Sequence, residues 1–290
     1  MSSEKTYKKL TTFLLQGVNT FLSVLKILIQ SKLGNKLPKA KDKVCYVLAN
    51  GPSLKKSLET HYEKISKSEL ICVNTFSITD EFTKLKPSYY VMIDPFFWNG
   101  KTEIILNTLK AIEEKTTWEL HLLVPQKAAK SAAMQNIVKN NKHVKLSPFN
   151  YTVFKGYENV AFWFYKKDLA MPQSLNVAIT AVFMAINLGF KEVYLLGADH
   201  TWHENLHMSE DNIMHTKVTH FYENDAEVKY VPFLKAGNPN VTQKAHEFFD
   251  IWSRTFSAYM ILERYSKTQN CKIYNASDIS FIDAFTRKKL

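Results

Sequence analysis

"KVCYVLANGPSL", residues 43–54, decides the fold. Its first half is apolar on successive positions, so both faces of the strand it predicts are covered, as in the middle of a parallel sheet. It then stops on Asn50-Gly51-Pro52-Ser53. A simple turn needs one or two such residues. Gly51 lets a ligand approach the backbone closely, and Pro52 stiffens the turn. Ser53 is placed to cap a helix over 54–66, whose free N–H groups favour a phosphate. Asn50 offers both a donor and an acceptor. An ordinary strand–turn–helix would read the same way. The stretch is neither a Walker A loop nor G-x-G-x-x-G.

The pattern repeats outward from there. Apolar, β-rich runs at 69–75, 88–94, 119–125, 143–149, 191–199 and 271–277 read as strands. Between them lie helical patterns near 101–116, up to Asn140, 174–189 (closed by Gly189) and 241–268. Alternating β and α elements predict an α/β fold, a Rossmann-like, doubly wound, mostly parallel sheet. Two stretches, 150–172 and 200–240, carry no clear period. In a compact α/β domain such stretches are lids or binding loops more often than decoration. The first is aromatic, "YTVFKGYENVAFWFYKK" (151–167), fit either to stack on sugar rings or to form a satellite apolar cluster.

In folds of this class ligands bind outside the carboxyl ends of the strands. Those ends read Asn50-Gly51-Pro52-Ser53, Asn74-Thr75, Asp94-Pro95 and Gly197-Ala198-Asp199-His200. Each supplies a polar group, which packing alone does not require.

Composition bounds the remainder. Hydrophobic residues make up 46% of the 290, enough for a large core. Cys45, Cys72 and Cys271 are too few and too far apart for a disulfide framework, and fit a reducing, cytoplasmic compartment. The formal net charge is +11, yet residues 1–43 alone hold nine lysines against Glu4 and Asp42. The charge is thus a property of one end, which argues against a nucleic-acid-binding face. Residues 1–42 are expected to form an amphipathic helix and linker apart from a catalytic domain at 43–290. Leu10, Phe13, Leu14, Val18, Phe21, Leu25 and Leu28 recur at helical steps. With the lysines, residues 5–43 are expected to lie on an anionic membrane surface, peripheral on the inner face of a bacterial inner membrane. A helix packed on the domain or on a partner subunit is the alternative.

Together, "VLANGPSL" (47–54), "ICVNTFSITDEF" (71–82), "YYVMIDPFFW" (89–98), "AVFMAINLGFKEVYLLGAD" (181–199) and "ILERYSKTQNCKIYNAS" (261–277) resemble the bacterial sialyltransferases of lipooligosaccharide synthesis. They are also similar to those enzymes' wider relatives, the motility-accessory-factor glycosyltransferases and the archaeal hydroxymethylpterin pyrophosphokinase-like proteins. The resemblance implies a GT-A-like glycosyltransferase with a CMP-activated acidic sugar as donor and a saccharide or lipid-linked acceptor. It implies nucleotide contacts at Asn50, Gly51 and Ser53, phosphate and sugar contacts at Asn74, and ribose and base contacts from Ser174 to Asn176. The sequence departs from the sialyltransferases in several places. It has Asp94 where they have asparagine, Gln173-Ser174 in place of an arginine, and "HTWHENLH" in place of tyrosines. Ser253 stands near the position of their histidine base. These departures open the donor to another nonulosonic acid or to Kdo.

Five of nine histidines fall between His200 and His220. Glycosyl transfer needs a base for the acceptor hydroxyl and a partner for the departing phosphate, and histidine suits either. His203 or His207 is expected at the phosphate, with His200, Asp199 or His246 at the acceptor. Solvated loop histidines without a role read the same way. No zinc signature is present, and no cofactor is required by the motifs. A divalent cation, Mg²⁺ or Mn²⁺, is the natural remedy for Asp94 beside a phosphate. Two other functions stay open, an ATP- and magnesium-dependent pterin pyrophosphokinase and a non-catalytic nucleotide- or glycan-binding protein. A homo-oligomer stays open too.

Overall fold

The computed structural model describes residues 2–34, 36–217, 230–235 and 238–290. The chain opens with helix α1 (Ser2–Gln30) and enters the sheet at β1 (Val44–Leu48). Then follow α2 (Ser53–Ser66), β2 (Glu69–Val73), α3 (Asp80–Leu85), β3 (Tyr89–Val91), α4 (Phe96–Asn99) and α5 (Glu103–Lys115). Next come β4 (Leu120–Pro125), α6 (Gln126–Ala129), α7 (Ala132–Asn140), β5 (Val144–Phe149), α8 (Glu158–Lys166), α9 (Val177–Leu188) and β6 (Glu192–Leu196).

The eight-stranded sheet is completed by β12 (Lys272–Asn275) and β13 (Thr286–Arg287), after the long helix α10 (Ala245–Thr268). Between β6 and α10 an insertion carries β7 (Leu206–Met208), β8 (Met214–Lys217), β9 (Tyr230–Pro232), β10 (Leu234–Lys235) and β11 (Asn238–Thr242). These form one three-stranded and one two-stranded antiparallel sheet.

The main sheet runs β13-β12-β6-β1-β2-β3-β4-β5 with every pair parallel. The α/β, doubly wound prediction holds. The chain leaves β1 in one direction, to β5, and returns on its other side at β6. The order therefore reverses between β1 and β6, and a crevice opens above their carboxyl ends. Alternation along each strand separates two cores. Cys45 and Val47 face α9, α10 and Ile27 of α1. Tyr46 and Leu48 face Leu54 and Leu58 of α2, Ile112 of α5 and Ile137 of α7. All of α9 except Val177 and Asn187 is buried, which explains its apolar sequence, broken only by Thr180 and Asn187.

Several expectations change. β5 forms the sheet edge over Val144–Phe149, and the helix expected at 241–268 begins only at Ala245, because 238–242 pairs as β11. The segment 150–172 is not a lid. It contains α8 and docks α1, and only Tyr151 at its start lines the crevice. Several of its aromatic rings pack inside the fold, Phe162 against Tyr265 and Tyr165 against Phe183, while Trp163 stays exposed.

Candidate functional site

A cavity of about 980 Å³ lies over the carboxyl ends of the strands, at the β1–β6 reversal. Of the residues singled out from the sequence, Asn50, Gly51, Pro52, Asn74, Asp94, Ser174, Asn176, Gly197, Asp199 and His200 line it. Among the described lining residues Ser53, Thr75, His203, His207 and His246 do not appear.

Its floor is two backbones held in contact. The Gly51 N–H donates to the Gly197 carbonyl at 2.8 Å, and the Ala49 N–H to the Leu196 carbonyl at 2.9 Å. A Cβ on Gly51 would run into the Gly197 carbonyl and lie 2.9 Å from Asp199 Cγ. Gly51 therefore serves chain-to-chain approach here, where the sequence suggested approach to a ligand. Gly197 takes φ +64°, which suits glycine.

Ser53 does not cap α2. Its N–H donates to Asp199 Oδ2 at 2.9 Å, and its Oγ donates to Asp199 Oδ1. Asp199, 7% exposed, thus fills with its own carboxylate the helix N-terminus where a phosphate was expected. Burial raises the Asp199 pKa, and the two Ser53 hydrogen bonds oppose that rise.

The asparagines behave differently. Asn50 Nδ2 donates to the Val73 carbonyl at 3.3 Å and to Thr75 Oγ1 at 3.2 Å, which places Thr75 behind the wall. Its Oδ1 is buried without a hydrogen-bond partner, as is Asn74 Oδ1. Asn74 sits at φ +48°, and its carbonyl accepts the Tyr90 hydroxyl at 2.6 Å. Two acceptors without a hydrogen-bond partner thus belong to residues of one cavity wall. Asp94 is exposed, with Oδ1 accepting the Phe96 N–H at 2.9 Å.

Ser174, Asn176 and His200 line the cavity and also hold hydrogen bonds within the protein. Ser174 Oγ lies 2.7 Å from Thr180 Oγ1. Asn176 caps α9 by accepting the Ile179 N–H at 3.0 Å. His200 Nε2 sits 2.8 Å from the Tyr259 hydroxyl and 3.2 Å from Asn176 Nδ2, and its ring stacks on Trp202 at 4.4 Å. Burial lowers the His200 pKa to about 3, so this imidazole is neutral across the physiological range.

A pH-dependent stability follows. The unfolded chain, with histidine near 6.5, binds a proton more readily than the folded one. The His200 contribution is complete above that value and is lost as pH falls toward 3. His200→Asn is expected to cost about 2 kcal/mol at pH 7 by stranding buried partners, and the gap should close by about 2 kcal/mol at pH 5. Asp168, whose burial lifts its pKa to about 6, works in the opposite sense but is common to both proteins and cancels. Urea denaturation at the two pH values measures the gap. A gap that does not change with pH would refute the assignment.

The other histidines lie elsewhere. The His203 ring packs between Trp252 (4.9 Å) and Phe281 (4.6 Å), with Nδ1 buried and unpaired. His207 is exposed on β7 beside Tyr230, and His246 is exposed in the first turn of α10. His215 Nδ1 lies 3.0 Å from the Ile213 carbonyl. His220 is outside the described residues. The structure thus separates His203, His207 and His246 from the cleft in which the sequence placed them.

Sequence reasoning missed Tyr151, Trp202, Asn205, Thr216 and Lys217, which complete the walls. Lys217, at the end of β8, is the only lysine or arginine among the described lining residues. A lysine in a stretch without period gives no sign of where it points. Among the described residues no group of three or more His, Cys, Asp or Glu could hold a metal ion.

The family model described as 6-hydroxymethylpterin diphosphokinase MptE-like matches residues 19–205, from α1 past the β6 end of the cleft. The chain belongs to the MptE-like family. The match takes in the four strand ends and stops short of β8 and Lys217, so that wall of this MptE-like chain lies beyond the shared region. It reaches the pterin-kinase-like arm of the relationship set out above and does not extend to the sialyltransferases. A solved MAf glycosyltransferase from Magnetospirillum magneticum AMB-1 aligns at 14% identity and a TM-score of 0.48. The alignment covers 89% of this chain and 35% of that one, so the MptE-like chain spans about a third of its length. No curated protein matches.

Proposed function

We propose that this chain is a glycosyltransferase. It moves a sugar from a nucleotide-activated donor, CMP-linked and acidic, to a saccharide or lipid-linked acceptor in bacterial surface-polysaccharide assembly. One observation carries the reading: four strand ends meet on a single cavity of about 980 Å³ whose wall holds two unpaired buried carboxamide oxygens and one lysine. That volume accommodates a nucleoside together with a sugar. Asn50 Oδ1 and Asn74 Oδ1 accept amino or hydroxyl hydrogens from the donor. Lys217 meets the phosphate.

His200 cannot hold a proton near neutral pH, and Asp199 is tied to Ser53. The exposed carboxylate of Asp94 is left to take the acceptor proton. The acceptor oxygen, as its proton passes to Asp94, forms the new bond to the anomeric carbon with inversion. The bond from that carbon to the phosphate oxygen breaks, and the nucleoside monophosphate leaves with the electron pair, its charge met by Lys217.

A second reading rests on the family description and on the same oxygens. Asp94 and the Asn50 and Asn74 carboxamides are hard donors of the type Mg²⁺ or Mn²⁺ takes. They would hold a cation brought in with a triphosphate, and that cation would neutralise phosphate charge during pyrophosphoryl transfer. A thermal-shift panel of CMP, CDP, UDP, GDP and ATP, with and without magnesium, separates the two. Saturating CMP without metal is expected to raise the Tm on the order of 5 °C. A response to ATP with magnesium alone favours the kinase. CMP release from CMP-sialic acid or CMP-Kdo distinguishes an enzyme from a binding protein, which would bind CMP and consume nothing.

A further inference from the structure

Helix α1 has one face on the domain and the other bare. Ser23 and Ile27 are 3% and 4% exposed. Ser23 Oγ donates to the Lys155 carbonyl at 2.7 Å, and Thr20 Oγ1 accepts the Tyr157 N–H at 2.8 Å. Just beyond the helix, Ser31 Oγ donates to the Leu169 carbonyl at 2.7 Å. On the opposite side Leu14, Val18, Phe21, Leu22, Leu25 and Ile29 form a continuous apolar strip, each between 39% and 82% exposed. At 100° per residue these six span about a quarter of the helix circumference, and an exposed lysine, Lys26, borders them.

We propose that this face seats the protein on an anionic lipid bilayer, with α1 lying in the plane of the surface. The charge complements such a surface, since residues 1–43 hold nine lysines against Glu4 and Asp42. The same excess opposes pairing of two copies through this face, which would bring the two lysine-rich segments together. Residues Lys9–Gln30 are long and apolar enough to cross a membrane. Crossing would, however, either break the Thr20 and Ser23 hydrogen bonds or carry the irregular backbone of 155–157 into hydrocarbon. An in-plane seat keeps them all. It also holds the cleft near the lipid. Tyr151 lines the cavity and Tyr157 is bonded to α1, and the six steps of chain between them span at most roughly 20 Å.

The full chain is tested by flotation with vesicles of phosphatidylcholine alone or with added phosphatidylglycerol. It is expected to float with the anionic vesicles and on the order of tenfold less with the neutral ones. Leu22→Glu/Leu25→Glu is expected to lose flotation on the order of tenfold with an unchanged melting temperature, because both side chains are exposed. Lys26→Glu, which leaves the apolar strip whole, should weaken only the anionic preference. Unchanged flotation of the leucine double variant overturns the proposal, as does a wild-type chain that stays at the bottom of every gradient. A lipid-free dimer abolished by the double variant, with no vesicle binding, overturns it in favour of a second copy. Resistance to alkaline extraction from membranes of expressing cells overturns it in favour of a crossing helix.

Discussion

Lys217→Met is expected to lower kcat/KM for release of CMP about 10²- to 10³-fold. The cleft's charges set the size of that loss. Asp94 and Asp199 both line it, and Lys217 is the only lysine or arginine among the described lining residues. A departing phosphate gains charge as the glycosidic bond breaks, and a fixed cation at that point is worth several kcal/mol in a partly desolvated site. The loss should fall on kcat more than on KM, because the interaction strengthens in the transition state. Lys217→Arg should recover part of the rate. Steady-state kinetics on the soluble donor measures both. A rate that survives the methionine substitution would remove Lys217 from the reaction and leave the phosphate charge unmet.

Gly197→Ala is expected to destabilise the fold by about 3 kcal/mol or more, the range for a backbone-level clash added to left-handed strain. Gly189→Ala should cost about 1 kcal/mol. Both glycines have positive φ, +64° and +102°. Around Gly189 a Cβ meets nothing within 4 Å, whereas on Gly197 it would strike the Ala49 carbonyl and lie 2.8 Å from Leu54 Cβ. Backbone cannot yield there without parting β1 from β6. Urea denaturation of the two variants provides the comparison, and equal costs would show that the close approach is not what fixes glycine at 197.

The fold was legible because its strands are apolar on both faces and each stops abruptly. Uninterrupted runs such as 45–48 and 193–196 have no other home than a covered parallel sheet. The strand ends were legible for the same reason, since polar residues appear there without a packing need. The contacts between the ends were not. Asp199 reaches Ser53 across 146 residues, and only the β1–β6 register brings them together. No local pattern announces that a helix will be capped by a carboxylate from another strand. The histidines misled because nearness in sequence stood in for nearness in space. Once 206–208 pairs with 214–216 as a hairpin, His203 turns toward Trp252 and Phe281, His207 faces solvent, and Lys217, which formed no part of any motif, is carried to the cavity. Composition left both readings of the aromatic insert open, because rings packed on α9 and α10 look in sequence like rings set out for sugar.

The paired glycines divide the cleft into parts that can be redesigned and a part that cannot. At 51 and 197 main chain lies against main chain, so no larger residue fits without forcing the sheet open. The walls carry side chains instead, among them Trp202, Asn205, Thr216 and Asp94, whose replacement asks nothing of the β1–β6 contact. The base of the bowl is thus set by backbone, and its sides by side chains.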